Sequence, residues 1–327
     1  MSKTVAEEHP ELYHYTTAVG LEGILRTQQL RATNIGFLND AEEHTGYFDR
    51  RLPLLLENIV RKIITDVKKA PNGQSRIDNW GGEEKAFSEA EQLRKNIRDV
   101  TLNFNNPYIA SFCPPSKFPN NGLLSQWRGY GLDGGYAVVF DTKALEQLLS
   151  REAENFHYQT SFWGDAEYYD QDTLQTAKLS ETIEQEAILE ASLQAFFLTG
   201  KQEAFDELHQ AVTKLACSHK HHGFAEEKEV RIVAVPVNDS IREEALKLGE
   251  RRPRKIIHFS PREGTPVPYI MLFEPSPGAT MSRLPIKKVI VGPHPDRFNR
   301  KRATELMLKR YGLEADVVAS DIPFLGR

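Results

Sequence analysis

Apolar and polar positions alternate early in the chain. There "ELYHYTT" reads as a strand over residues 11 to 15, with Leu12 and His14 on one face and Tyr13 and Tyr15 on the other. The period then lengthens. Ala18, Leu21 and Leu25 fall on one helical stripe with Ile24 beside it, and Thr16 or Thr17 is placed to cap that helix. "QLRATN" reads as a second short strand, and Ala41 to Lys69 as one long helix with Pro53 as its point of bending. "APNGQ" is a turn by its content, and a polar helix follows from about Glu83 to Asn103.

The pattern changes at "PYIASFC", residues 107 to 113, a short apolar run that reads as a buried strand. Beyond the loop "PPSKFPNNG" and the stretch "LLSQWRGYGLDGG" comes a second such run, "YAVVFD". Residues 171 to 217 are helical in pattern. Strands follow at "EEKEVRIVAVPV", "KIIHFS", "PYIMLF" and "KKVIVGP", then a helix from Arg297 to Tyr311 and a last strand, "ADVVAS". Helices interrupt strands irregularly rather than in strict alternation, which favours an α+β fold over a doubly wound sheet.

Composition narrows the picture. The chain has 327 residues, 40% of them hydrophobic, and a net charge of −5 that provides no global attraction to nucleic acid. Two cysteines, Cys113 and Cys217, argue against a disulfide framework and fit a reducing compartment. No apolar run reaches the length of a membrane span, and "MSKTVAEEHPEL" is no signal peptide. A soluble, cytoplasmic protein without membrane partners is expected.

Several groupings could carry chemistry. In "YHYTT" an imidazole and hydroxyls stand where a strand runs into a helix N-terminus, a place that suits a ribose or phosphate; the plain alternative is a histidine that packs and caps. Ser111 ends a strand, and Ser125, Trp127 and Tyr130 follow, a possible platform for a planar ring or else core aromatics beneath a loop. In "FAEEKEVRIVAV", a strand that includes both Glu227 and Glu229 would put them on one face with Arg231, which could neutralise one carboxylate; a solvated charge run is the alternative. "CSHKHHG" has metal-ligand residue types but no matching second pair, so an exposed helix end explains it better and no metal is expected. The basic clusters "ERRPRK", "IKK" and "RFNRKR" could attract a phosphate backbone or lie solvated.

Taken in order, "LYHYT", "LND" with Glu43, "SFC…LSQW" through to "VVFD", "EKEVR" and "PYI" resemble a widespread bacterial family catalogued as a domain of unknown function. That family looks like a distant member of the ADP-ribosyltransferase superfamily, whose sites follow a His–Tyr–Glu or Arg–Ser–Glu plan. The resemblance implies a single domain over residues 1–327 with a split β-sheet core and helical insertions at about 41–103 and 171–217. It implies NAD as substrate, and ADP-ribose transfer to a protein or nucleic-acid acceptor in the setting of a toxin or phage-defence effector. An antitoxin or defence-system protein is then an expected partner.

Under this resemblance His14, supported by Tyr15 and Thr16, would hold the adenosine ribose, and Trp127 or Tyr130 would stack on nicotinamide near Ser111 and Ser125. Glu229 would bond the nicotinamide ribose and stabilise an oxocarbenium-like state, Glu227 would orient the acceptor, and Arg262 would approach the pyrophosphate. The two glutamates could exchange these roles. NAD hydrolysis, with water as acceptor, and a catalytically silent nucleotide-binding module are the alternatives.

Overall fold

Backbone pairing in the computed structural model, which describes residues 3–38, 45–130, 135–169, 182–199, 202–278 and 281–323, sorts the strands into two large sheets and one small one. In chain order the strands are β1 (Glu11–Thr16), β2 (Leu30–Asn34), β3 (Tyr108–Phe112), β4 (Tyr136–Asp141), β5 (Tyr158–Asp165) and β6 (Glu167–Tyr169). They continue with β7 (His219–His221), β8 (Val230–Pro236), β9 (His258–Arg262), β10 (Thr265–Leu272), β11 (Ile286–Val291) and β12 (Asp316–Ala319). The helices are α1 (Val5–Glu8), α2 (Ala18–Thr27), α3 (Leu52–Lys69), α4 (Gly73–Trp80), α5 (Gly82–Asp99) and α6 (Leu124–Tyr130). After them come α7 (Thr142–Asn155), α8 (Thr182–Thr199), α9 (Gln202–Ser218), α10 (Asp239–Lys247) and α11 (Arg297–Arg310). The fold is mixed α+β.

The chain divides into two compact units. One comprises residues 1–33, 108–166 and 223–327; the other comprises 34–107 and 167–222, and the helical ranges expected as insertions fall within it. In the first unit, one sheet runs β1-β4-β11-β12 and the other β5-β8-β3-β2-β10-β9. β1 lies antiparallel to β4 from Glu11 opposite Asp141 to Thr16 opposite Tyr136. A single apolar cluster joins the sheets, with Leu12, Val138, Phe140 and Val289 from one and Ala32, Phe112, Ile232 and Ile270 from the other. These are the alternate residues of each strand, which is why the apolar runs in the sequence locate the strands so well.

Helix starts follow from capping chemistry. Thr17, not Thr16, caps α2 by accepting from the Gly20 amide, and Asp141 caps α7 through the Ala144 amide. α3 begins at Leu52 with Pro53 in its first turn and follows directly on a π-helical segment from Tyr47 to Arg51, so the long helix expected here runs unbroken through Pro53 with its irregular turn just before it. The expected range from 41 to 44 lies outside the described residues. In the second unit, α3 and α5 share an apolar core with α8 and α9 through Leu56, Ile59, Ile97, Leu193, Leu208 and Leu215. β6 and β7 pair in parallel there.

"CSHKHHG" differs from its reading as an exposed helix end. His219 is buried in β7, with Nδ1 2.6 Å from the Leu215 carbonyl and its ring against Tyr47 and Tyr169. Among the described residues no helix is long and apolar enough to cross a membrane.

One buried charge cluster ties α7 to the ends of β5 and β10. Glu152 on α7 accepts from the Tyr158 hydroxyl at 2.6 Å and from the Phe273 amide at 3.0 Å. The Lys255 ammonium, wholly enclosed, lies 2.7 Å from both Glu152 and Glu274 and over the Phe156 ring. These are close ion contacts whose alignment falls short of hydrogen bonds. Burial and the adjacent Glu152 carboxylate push the Tyr158 phenol far above its ordinary range. Glu152→Ala, which strands a buried ammonium beside one remaining carboxylate, should cost about 3–5 kcal/mol in chemical denaturation. Glu152→Gln, which keeps an acceptor for Tyr158 and Phe273, should cost clearly less.

Candidate functional site

β1 and β3 belong to different sheets and touch at one point. Tyr13 and Cys113 exchange both backbone hydrogen bonds, Tyr13 N–H to Cys113 O at 2.8 Å and Cys113 N–H to Tyr13 O at 2.9 Å. In a continuing antiparallel ladder the next such pair would be Tyr15 with Ser111. The strands part instead, and the His14 imidazole takes the place of that missing partner, its Nδ1 2.9 Å from the Ser111 carbonyl. Because Nδ1 faces a carbonyl, it carries the proton, and Nε2 is left as an acceptor. The ring is half-buried and tilted against Phe112. Its burial lowers the pKa below the usual 6.5, opposed by the Ser111 hydrogen bond.

β8 is the next strand beyond β3. Ser111 sits opposite Arg231, so their side chains share a face. Arg231 grips Glu229 with two hydrogen bonds, Nε to Oε1 and Nη2 to Oε2, both 3.0 Å, and each side chain is 2% exposed. Glu227 does not share that face. It ends a 3₁₀ turn from His222 to Glu227, and Lys228 follows with φ of +43°, so the extended backbone begins only after it.

By strand alternation, His14 lies on the side of the inter-sheet core, while Ser111, Arg231 and Glu229 lie on the opposite face of their sheet. The imidazole reaches the Ser111 backbone carbonyl at the place where β1 and β3 part. The structure therefore puts His14 on β1 and, in the other sheet, Ser111 on β3 with Arg231 on β8 and Glu229 just before it.

The other expected residues serve different surroundings. Tyr15 is 3% exposed, accepts from the Leu123 amide at 2.8 Å and meets Trp127 edge to face at 4.8 Å. Burial, more than any neighbour, pushes its phenol pKa upward. Trp127 has no exposed surface, and its indole N–H donates to the Asn121 carbonyl at 2.8 Å. Gly122, at φ +70°, lies so close that a Cβ there would stand 2.5 Å from the indole. Trp127 is thus walled in on the face of β1 away from His14. The Thr16 hydroxyl abuts the first turn of α2, where a Cβ on Gly20 would collide with it.

Ser125 Oγ is buried without a hydrogen-bond partner among the described residues. The side chain of Tyr130 lies outside the described residues. Arg262 is exposed on the edge strand β9, four strands from β8 and roughly 19 Å away by strand spacing. Sequence reasoning noticed Arg231 as a neutraliser but gave it no role in the site. Its signal was its place two residues after Glu229 in a buried strand.

Residues 126–232 match the family described as a protein of unknown function, DUF2971. The matched stretch includes Trp127, Glu227, Glu229 and Arg231 and lies beyond His14 and Ser111 in the sequence. No curated protein and no solved structure matches the chain.

The depressed His14 pKa has a sign that can be checked. The stability contributed by the neutral ring is complete above 6.5, its ordinary value, and is lost as pH falls toward the lower folded value. Nuclear magnetic resonance of the His14 ring should show a titration midpoint below 6.5 and the Nδ1–H tautomer above it. His14→Phe should flatten the pH dependence of unfolding in that window.

Proposed function

We propose that the first unit binds NAD at the opening between β1 and β3, cleaves the bond between nicotinamide and ribose, and transfers ADP-ribose to a macromolecule in the cytoplasm. The reading takes this unit as an ADP-ribosyltransferase-like split sheet. Its main support is the succession of an imidazole, a serine and a carboxylate on β1, β3 and β8 where the sheets part.

His14 Nε2, an acceptor, suits a ribose hydroxyl and not a phosphate oxygen. Glu229 would accept from the 2′-hydroxyl of the nicotinamide ribose and offset the positive charge that develops at its C1′. The C–N bond breaks with its electron pair leaving on nicotinamide. An acceptor oxygen or nitrogen then bonds to that carbon, and its proton passes to a nearby base or to water. Arg231 holds the carboxylate ionised and oriented. The unpartnered Ser125 hydroxyl is available to a ligand. Since Trp127 is enclosed, stacking on nicotinamide falls to Tyr130 in this reading. The acceptor is a protein or a nucleic acid.

A second reading is favoured by one observation, the near-complete burial of Glu229 against Arg231. A carboxylate so engaged suits a module that binds a nucleotide without turning it over.

Purified protein incubated with NAD labelled in its adenylate phosphate and with cell lysate should transfer label to a macromolecule, and digestion by nuclease or protease identifies its class. Glu229→Gln should lower transfer by at least about a hundredfold, the scale of removing one charge-stabilising group, with the fold preserved by circular dichroism. Nicotinamide release without labelled product would indicate hydrolysis. NAD binding with neither result, unaltered by Glu229→Gln, would leave the binding module as the answer.

A further inference from the structure

We propose that the second unit carries a separate binding site, in the pocket among α3, α4 and α5, for an amphiphile with an apolar body and one anionic head such as a carboxylate. The pocket has a volume of about 480 Å³, within the range of small-molecule sites. Its wall is one helical stripe of α3, from Val60 to Val67 at spacings of three and four residues, faced by Ile77 and Trp80 of α4 and by Ala86 of α5.

The reason for the space is legible in the residues. Val60, Ile64 and Ile77 are nearly buried, and the one apolar side chain that α5 adds to the pocket wall is the small Ala86 methyl. At the junction of α4 and α5, Gly81 and Gly82 take left-handed φ values of +119° and +83°, which fixes the sharp turn between the two helices. Trp80 remains 43% exposed at the mouth. An aromatic left half in water beside an aliphatic hollow lacks the contacts that a packed core supplies, and an apolar chain would provide them.

Charge decides the head group. Two charged residues line the pocket, Arg76 and Glu89. Glu89 lies 3.8 Å from Lys85, whose ammonium also stands 5.4 Å from the Trp80 ring centre. Arg76, one turn before Trp80 on the same side of α4, has no acidic partner among the described residues. The local surplus at the mouth is therefore a guanidinium, which takes a carboxylate through two parallel hydrogen bonds. This site is independent of the nucleotide reading of the first unit.

The test uses the full chain, with decanoate as probe and 1-decanol and decyltrimethylammonium as head-group controls, followed by calorimetry and by tryptophan fluorescence with Trp80→Phe as reference. Decanoate should bind saturably at one site. Ala86→Phe, which fills the hollow, should weaken it at least tenfold, and Ala86→Leu provides the same readout should the larger ring disturb folding. Arg76→Gln should weaken decanoate about tenfold while leaving decanol nearly unchanged. The proposal is overturned by decanoate that fails to saturate below roughly 1 mM, by affinity unmoved in a folded Ala86 variant, or by equal or tighter binding of the cationic amphiphile.

Discussion

The first unit depends on the apolar cluster between its two sheets, and one pair of backbone hydrogen bonds, between Tyr13 and Cys113, links β1 to the end of β3. β1 is committed on its other side to β4 along six residues, and β3 is committed to β8, so each strand has one sheet of its own. Where they touch, the two strands are joined at one point and separate beyond it. Beyond that point the Ser111 carbonyl of β3 accepts from the His14 imidazole, and β3 has β8 and β2 as its sheet neighbours. The imidazole thus joins β1 to β3 by a side-chain contact just beyond their backbone pair.

Buried charge is handled the same way at two places in the first unit. Glu229 is tied to Arg231, and Lys255 is enclosed by Glu152 and Glu274. Neither arrangement is a large source of stability, because desolvation offsets most of the attraction. Each fixes geometry instead. The Glu152 cluster sets α7 against the strand ends, and Arg231 sets the direction of the Glu229 carboxylate. An ion pair two residues apart on one strand is a short-range device.

The sequence was most legible where burial follows a simple period. The faces of β1, the apolar runs of β3, β4, β8 and β11, and the end of α11 at Arg310 follow from alternation, apolar continuity and helix spacing. Local chemistry was less decisive where periodicity was weak. β5 is half-buried along its length and has no apolar alternation to mark it, and α6 hides in a stretch rich in glycine. The pair Glu227 and Glu229 misled for a different reason. Two residues apart means one face only if the backbone is extended, and Lys228 is left-handed.

By itself, then, the chain determined its apolar strands and its α+β character, because those rest on local periods. Tertiary structure alone decided which side chains meet. Trp127 and Tyr15 face into an enclosed cluster, Arg262 stands on a distant edge, and Arg231 takes hold of Glu229. The order of strands in a sheet and the point where two sheets part arise from contacts between residues far apart in sequence. No local pattern along the chain records them.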